Sequence, residues 1–245
     1  QYHLVLPAFG LFVLLLFSTQ TRAQHSTPHF TSQLSVTTEN DRYMFKGKDG
    51  YYTNGFMLRY TKASAPKPNS PKRLHHFELG QKIFMPHSRR IYVPAEIDRP
   101  VTGYLFLKYS QSIFKTPHTV WQWGVSADAI GDVSGARKVQ NTFHDWINVN
   151  SNWWGWVWDY QLKSQPGLNV HGQLATAIFA GENASWFQVV PVSRATLGTS
   201  FTNISQGVVL QFGKLRLQSE SAFWNAAPGA VAPEDQGAEW AFYYY

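Results

Sequence analysis

The chain has 245 residues, no cysteine, 10 tryptophans, 12 tyrosines and 17 phenylalanines, and only 15% of it is charged. That balance is too aromatic and too sparsely charged for an average soluble domain, and the lack of cysteine fits an exported protein that folds without disulfides. The net charge of +6 suits an anionic partner, although scattered surface lysines give the same total.

Leu4 to Phe17 is an apolar run that ends at Thr21-Arg22-Ala23, a small-x-small site before Gln24. Residues 1–23 therefore read as a secretory signal peptide and 24–245 as one barrel domain. The amino end lacks a positive leader region and an initiator Met, so it reads as clipped. Beyond residue 23 no stretch approaches the roughly 18 to 20 apolar residues that a membrane helix needs. A chain of this kind crosses a membrane only as a closed sheet.

From His29 the pattern has period two. Phe30, Ser32, Leu34 and Val36 alternate with Thr31, Gln33, Ser35 and Thr37. Thr37 to Tyr60 then predicts a hairpin, with Glu39, Asn40 and Asp41 closing one strand and Tyr52, Thr53, Asn54 and Gly55 opening the next. Lys46-Gly47-Lys48-Asp49-Gly50 supplies the turn. The hairpin brings the Asn40 amide and the Asp41 carboxylate towards the Thr53 hydroxyl. Such a trio can bind a hard cation or position a water, and it can equally be a capped turn whose Asx side chains satisfy loop amides.

Leu74 to Phe84 places Phe77, Leu79 and Ile83 on one face and His76, Glu78, Gly80 and Lys82 on the other. Val101, Leu105, Leu107 and Tyr109, then Trp121, Trp123, Val125 and Ala127, continue one apolar face, opposite Lys108, Gln122, Ser126 and Asp128. Segments of about ten residues, apolar outside and polar inside, with Tyr and Trp near their ends, mark an outer-membrane barrel more than a soluble sandwich.

Two connections are long and leave the same end of the hairpins. Pro86 to Asp98 carries Arg89 and Arg90. Gly131 to Trp158 carries a helical stretch, Gly135 to Asn148, and the cluster Trp153, Trp154, Trp156 and Trp158. On that helix Gln140 and His144, four apart, share a face. Trp146 and Ile147 are expected to lay it against apolar surface, with the Trp cluster at headgroup level. The link Thr116-Pro117-His118 at the other end is short, as periplasmic turns are.

Asn169 to Phe179, Trp186 to Thr196 and Ser205 to Leu217 read as further strands, and Glu239 to Tyr245 begins one more. The sequons at Asn183 and Asn203 are read as chance matches. The count is nine or ten strands. A barrel needs an even number and no open edge in lipid, so the carboxyl end also reads as truncated. No G-x-S-x-G elbow occurs, and the basic residues are scattered, which argues against a serine hydrolase of that type and against nucleic-acid binding.

Taken together, Glu39-Asn40-Asp41, Tyr51 to Gly55 (YYTNG), Gly80 to Pro86 (GQKIFMP), Asp98-Arg99-Pro100, Val139 to His144 (VQNTFH) and Trp158 to Leu162 (WDYQL) resemble the outer-membrane lipid A 3'-O-deacylase family over roughly residues 30 to 215. The resemblance implies an all-β, antiparallel transmembrane barrel of twelve strands with a short helix in an extracellular loop, incomplete here by two or three strands. It implies a calcium-dependent esterase of the bacterial outer membrane that removes the 3'-linked acyloxyacyl group of lipid A, the lipid part of lipopolysaccharide. By the same carry-over His144 is the general base, Asn40, Asp41, Thr53 and Gln140 line the site, and Arg89 or Arg90 meets a phosphate. Ca2+ would sit by Asp41 and stabilise developing negative charge. The family's acidic residue six places after the histidine is Asn150 here, a neutral oxygen donor in place of a charged one, with Asp145 and Asp159 as nearby substitutes. A phospholipase and a non-catalytic barrel or porin are the alternatives.

Overall fold

The computed structural model describes residues 30–40, 51–87, 91–146, 155–178, 186–230 and 239–244. The predicted signal peptide lies outside them. Nine strands follow in chain order: β1 Ser32–Asn40, β2 Tyr51–Ala63, β3 Lys72–Met85, β4 Thr102–Thr116, β5 Thr119–Ile130, β6 Gln165–Thr176, β7 Phe187–Gly198, β8 Asn203–Lys214 and β9 Trp240–Tyr244. Each pairs antiparallel with the next, so spatial order and chain order coincide. One α-helix, α1 Ala136–Trp146, lies in the long β5–β6 connection. The count agrees with the lower of the two expected values.

Strand ends differ from the periodicity by a few residues. β3 gains Lys72 and Arg73, which pair with Phe114 and Ile113. β6 starts at Gln165 because β5 continues to pair up to Ile130 opposite it, and it ends at Thr176 instead of Phe179. β8 stops at Lys214, since Leu215 turns inward and is buried.

The distribution of side chains is inverted relative to a soluble sheet protein. Phe56, Leu58, Tyr60, Phe77, Leu79, Leu107, Trp121, Trp123, Val125, Leu168, Val170 and Leu197 all stand on the exposed face. The sheltered face carries Thr61, His76, Ser110, Ser112, Ser126 and Asp128, and Arg59 pairs there with Glu78. His76 is held between Thr61 Oγ1 and Ser112 Oγ, each 2.9 Å away. Burying apolar area is worth about 25 cal/mol per Å², so in water this sheet would fold the other way out. Only lipid outside and a wet, polar lumen inside make the arrangement favourable.

Among the described residues the two apolar clusters lie at the two ends of the sheet, and Met57 and Phe106 meet inside the wall over Gly80 between them. At the short-turn end Leu74, Phe114, Val120, Ala175, Val190, Val192 and Val209 face the interior, and Phe223 and Trp224 pack on them. The stretch that brings these two rings, residues 215–230, crosses the lumen. Lys72 Nζ donates to the carbonyls of Ser219 and Ala226 at 2.7 and 2.6 Å, and the Gly229 amide donates to Phe30 O at 2.9 Å. At the long-loop end Ile83, Met85 and Val101 pack with Ala136, Val157 and Trp158. Trp158 is buried in that cluster, so it does not reach the headgroup level as the sequence suggested.

Candidate functional site at the outer rim

The register places one straight row across four strands: Asn40 pairs with Asn54, Asn54 with Ile83, and Ile83 with Gly103. Alternation fixes which side of the wall the row occupies. Phe56 and Leu58 point outward, so Asn40, two residues beyond Thr38 (the partner of Phe56), points outward too. Glu39 points inward, where the Tyr52 hydroxyl donates to its carboxylate and Lys82 Nζ lies 3.4 Å from it.

Thr53 escapes this alternation. The β2–β3 register jumps from Tyr52 opposite Phe84 to Asn54 opposite Ile83, so Thr53 is an extra residue with no partner across the ladder. Tyr52 faces in, against the Phe84 ring at 5.2 Å, and Asn54 faces out with Ile83. The bulge sets Thr53 next to Asn54, between the inward Tyr52 and the outward Asn54, at the rim end of β2. Its side chain is buried there and its Oγ1 has no hydrogen-bond partner.

Helix α1 is mounted on this row. A Cβ at Gly103 would collide with Ser134 Oγ and stand 2.5 Å from Ala136 Cβ, so the close approach of the loop to β4 depends on glycine. Gln81 Nε2, which interrupts the outward apolar run of β3, donates to Ser134 O at 2.8 Å. There α1 touches both β4 and β3. Ala136 and Gln140 are buried and His144 is half-buried, so one helix face, with period four, meets the wall. Gln140 Oε1, like Thr53 Oγ1, is buried with no hydrogen bond. Buried polar atoms are normally satisfied, and each of these oxygens, without a partner among the described residues, is suited to a ligand, a water or a hard cation.

The neighbouring loop adds a cation at this end of β2 and β3. Arg99 lies over the rings of Tyr51 and Phe84 at 5.4 and 5.7 Å. Burial by itself would raise the Asp98 carboxyl, but the His87 amide at 3.0 Å and the Tyr51 hydroxyl hold it below its usual range. Neither residue stood out from spacing alone, although Asp98-Arg99-Pro100 was among the motifs.

Of the predicted site residues, Asn40, Thr53, Gln140 and His144 are described: Asn40 and Thr53 end β1 and begin β2 at this rim, and Gln140 and His144 lie on the helix mounted beside it. Asp41, Arg89, Arg90 and Asn150 lie outside the described residues, as do Trp153 and Trp154. Of the substitute acidic residues, Asp159 is taken by Arg137, 2.9 Å away, and Asp145 is exposed on α1. Among the described residues no three His, Asp or Glu side chains are grouped for a metal ion. Trp146 does not lay the helix on the wall as expected, because it stands 72% exposed on another side of α1.

The model of the family described as outer membrane protein LpxR matches residues 9–245. The chain belongs to the LpxR family. In structure it is similar to LpxR from Salmonella typhimurium, with a TM-score of 0.62 at 19% identity over 75% of this chain. It spans 64% of the length of that LpxR chain, and the likeness fixes the shared barrel fold. No curated protein gives a significant match. The antiparallel barrel and the outer-membrane family expected from the motifs are thus both found.

Proposed function

We propose that this LpxR-family barrel is an esterase that removes the 3'-linked acyloxyacyl group of lipid A, with His144 as general base. The observation that carries this reading is the outward row Asn40, Asn54, Ile83 and Gly103, with the bulged Thr53 next to it in β2 and α1, the helix of Gln140 and His144, mounted on Gly103. From Ala136, packed at Gly103, residue 144 lies about 12 Å along the axis of α1. Two to three strand spacings, about 10 to 14 Å, separate Gly103 from the Thr53 and Asn40 strands. The two lengths are alike, and the reading requires the imidazole and the hairpin tip to meet on this side of the barrel.

That location suits an amphiphile held in a leaflet. Its acyl chains stay in the bilayer while the ester reaches the wall. His144 takes a proton from water, the water oxygen attacks the ester carbonyl, and the imidazolium returns the proton to the departing sugar oxygen. An imidazole needs no large pKa shift for this at neutral pH. Thr53 and Gln140 orient the water or the carbonyl, and Asn40 shares the rim. A Ca2+ held by Asp41 and Asn150, with oxygens such as Thr53 Oγ1 nearby, would supply positive charge where the carbonyl oxygen becomes negative. Arg89 and Arg90 are assigned to lipid A phosphate, for which guanidinium forks are suited.

The test is mass spectrometry of lipid A incubated with the protein and calcium. Release of the 3' acyloxyacyl group is expected from the wild type and not from His144→Ala, while heat-modifiable gel migration stays the same. Unchanged lipid A with the folded wild type would overturn the reading. Release of fatty acid from glycerophospholipid vesicles instead would point to the phospholipase alternative. A porin is disfavoured by residues 215–230, which cross the lumen at one end.

A further inference from the structure

Helix α1 has three faces, and the activity proposed above uses only one. At about 100° per residue, Ala136, Gln140 and His144 occupy one sector, turned to the wall. Lys138, Asn141, Thr142 and Asp145 occupy a second, polar sector, and Lys138, Thr142 and Asp145 are exposed. Between the two, on the side away from Arg137, run Val139, Phe143 and Trp146. Val139 is 53% and Trp146 72% exposed, and the Phe143 and Trp146 rings lie 6.1 Å apart. Among the described residues nothing covers this stripe.

A surface helix in water turns its apolar stripe to the core; here the wall receives the small and polar face instead. The helix is anchored on Gly103, and two and four residues along the same outer face of β4 come Leu105 and Leu107. Leu107 is 60% exposed and belongs to the lipid-facing belt. The mounting point of α1 is therefore the upper border of that belt. A helix resting there has wall on one side, water above and lipid below, and its three sectors match those three surroundings in order.

We infer that the Val139, Phe143 and Trp146 stripe of α1 seats among the acyl chains of the surrounding leaflet, continuous with the belt of the barrel, so that α1 is an interfacial helix. The apolar side chains and an indole at the boundary are what such a helix requires. The inference rests on the membrane placement of the barrel and not on its chemistry. It gives the helix a second tether besides Gly103 and holds the His144 face at the depth of the leaflet surface.

The chain has no cysteine, so single spin labels can be introduced without background. The whole protein would be folded into phosphatidylcholine–phosphatidylglycerol vesicles with labels at Val139→Cys, Trp146→Cys, Lys138→Cys, Asp145→Cys and, as a belt control, Leu107→Cys. Collision with dissolved oxygen is expected to dominate at 139, 146 and 107, and collision with a water-soluble nickel chelate at 138 and 145. Chelate access at 139 and 146 equal to that at 138 would overturn the proposal, because the stripe would then face water. Shielding of 139 and 146 from both reagents would overturn it equally, because protein would then cover the stripe. As a second measurement, quenching by bromolipid should fall in Trp146→Phe relative to wild type; equal quenching counts against the inference.

Discussion

Thr53 shows how a single inserted residue can build a site. The bulge at Thr53 breaks the strict alternation that would otherwise set it opposite to Asn54. Because the buried Thr53 hydroxyl makes no hydrogen bond within the described protein, its removal should cost the fold little and the reaction more. Thr53→Val, close in shape, is expected to leave heat-modifiable migration unchanged and to lower deacylation by about 30-fold, as for a lost bond of about 2 kcal/mol to a charged group. Equal activity would remove Thr53 from the site. Asp98 gives a pH prediction at the same scale. Its carboxyl is held low in the folded loop, so the stabilisation is full above the ordinary carboxylate pKa of about 4 and is lost as pH falls through the lower folded value. Amide exchange at His87, whose N–H donates to Asp98, should stay protected down to that range, and in Asp98→Asn the protection should be weaker at neutral pH.

At the scale of elements, the contact between α1 and the wall is the sensitive joint. Gly103 admits Ser134 and Ala136 to van der Waals distance, and Gln81 fixes the Ser134 carbonyl. Gly103→Leu should lift the start of the helix off β4 while leaving the strand ladder intact. The expected result is an otherwise folded barrel whose lipid A deacylation falls at least as far as that of Thr53→Val, since a shift of about 1 Å can cost about 100-fold. A variant with full activity would show that α1 does not position His144. The Gln140 and His144 spacing was legible in the sequence because helical period is a local property. The direction of Trp146 was not, since the helix faces three surroundings and a rule for globular proteins assumes two.

For the whole molecule the question is which side of the sheet meets lipid. Leu107 stands on the exposed face and Gln122 on the sheltered one. Leu107→Arg is expected to destabilise the barrel in bilayers by about 2 to 4 kcal/mol, and Gln122→Arg, facing the lumen, by well under half of that. Urea titrations in vesicles measure both, and the reverse order would contradict the barrel. The sequence by itself determined the strand period, the two faces and the order of the motifs, because each depends on neighbours one to four residues apart along the chain. Only the tertiary structure decided that Thr53 is a bulge, that Gly103 carries the helix, that Trp158 is buried while Trp146 is not, and that residues 215–230 pack into the lumen end. Those outcomes depend on register and on surfaces far apart along the chain, from Gly103 against Ser134 to Phe30 against Gly229, and no local pattern encodes such distances.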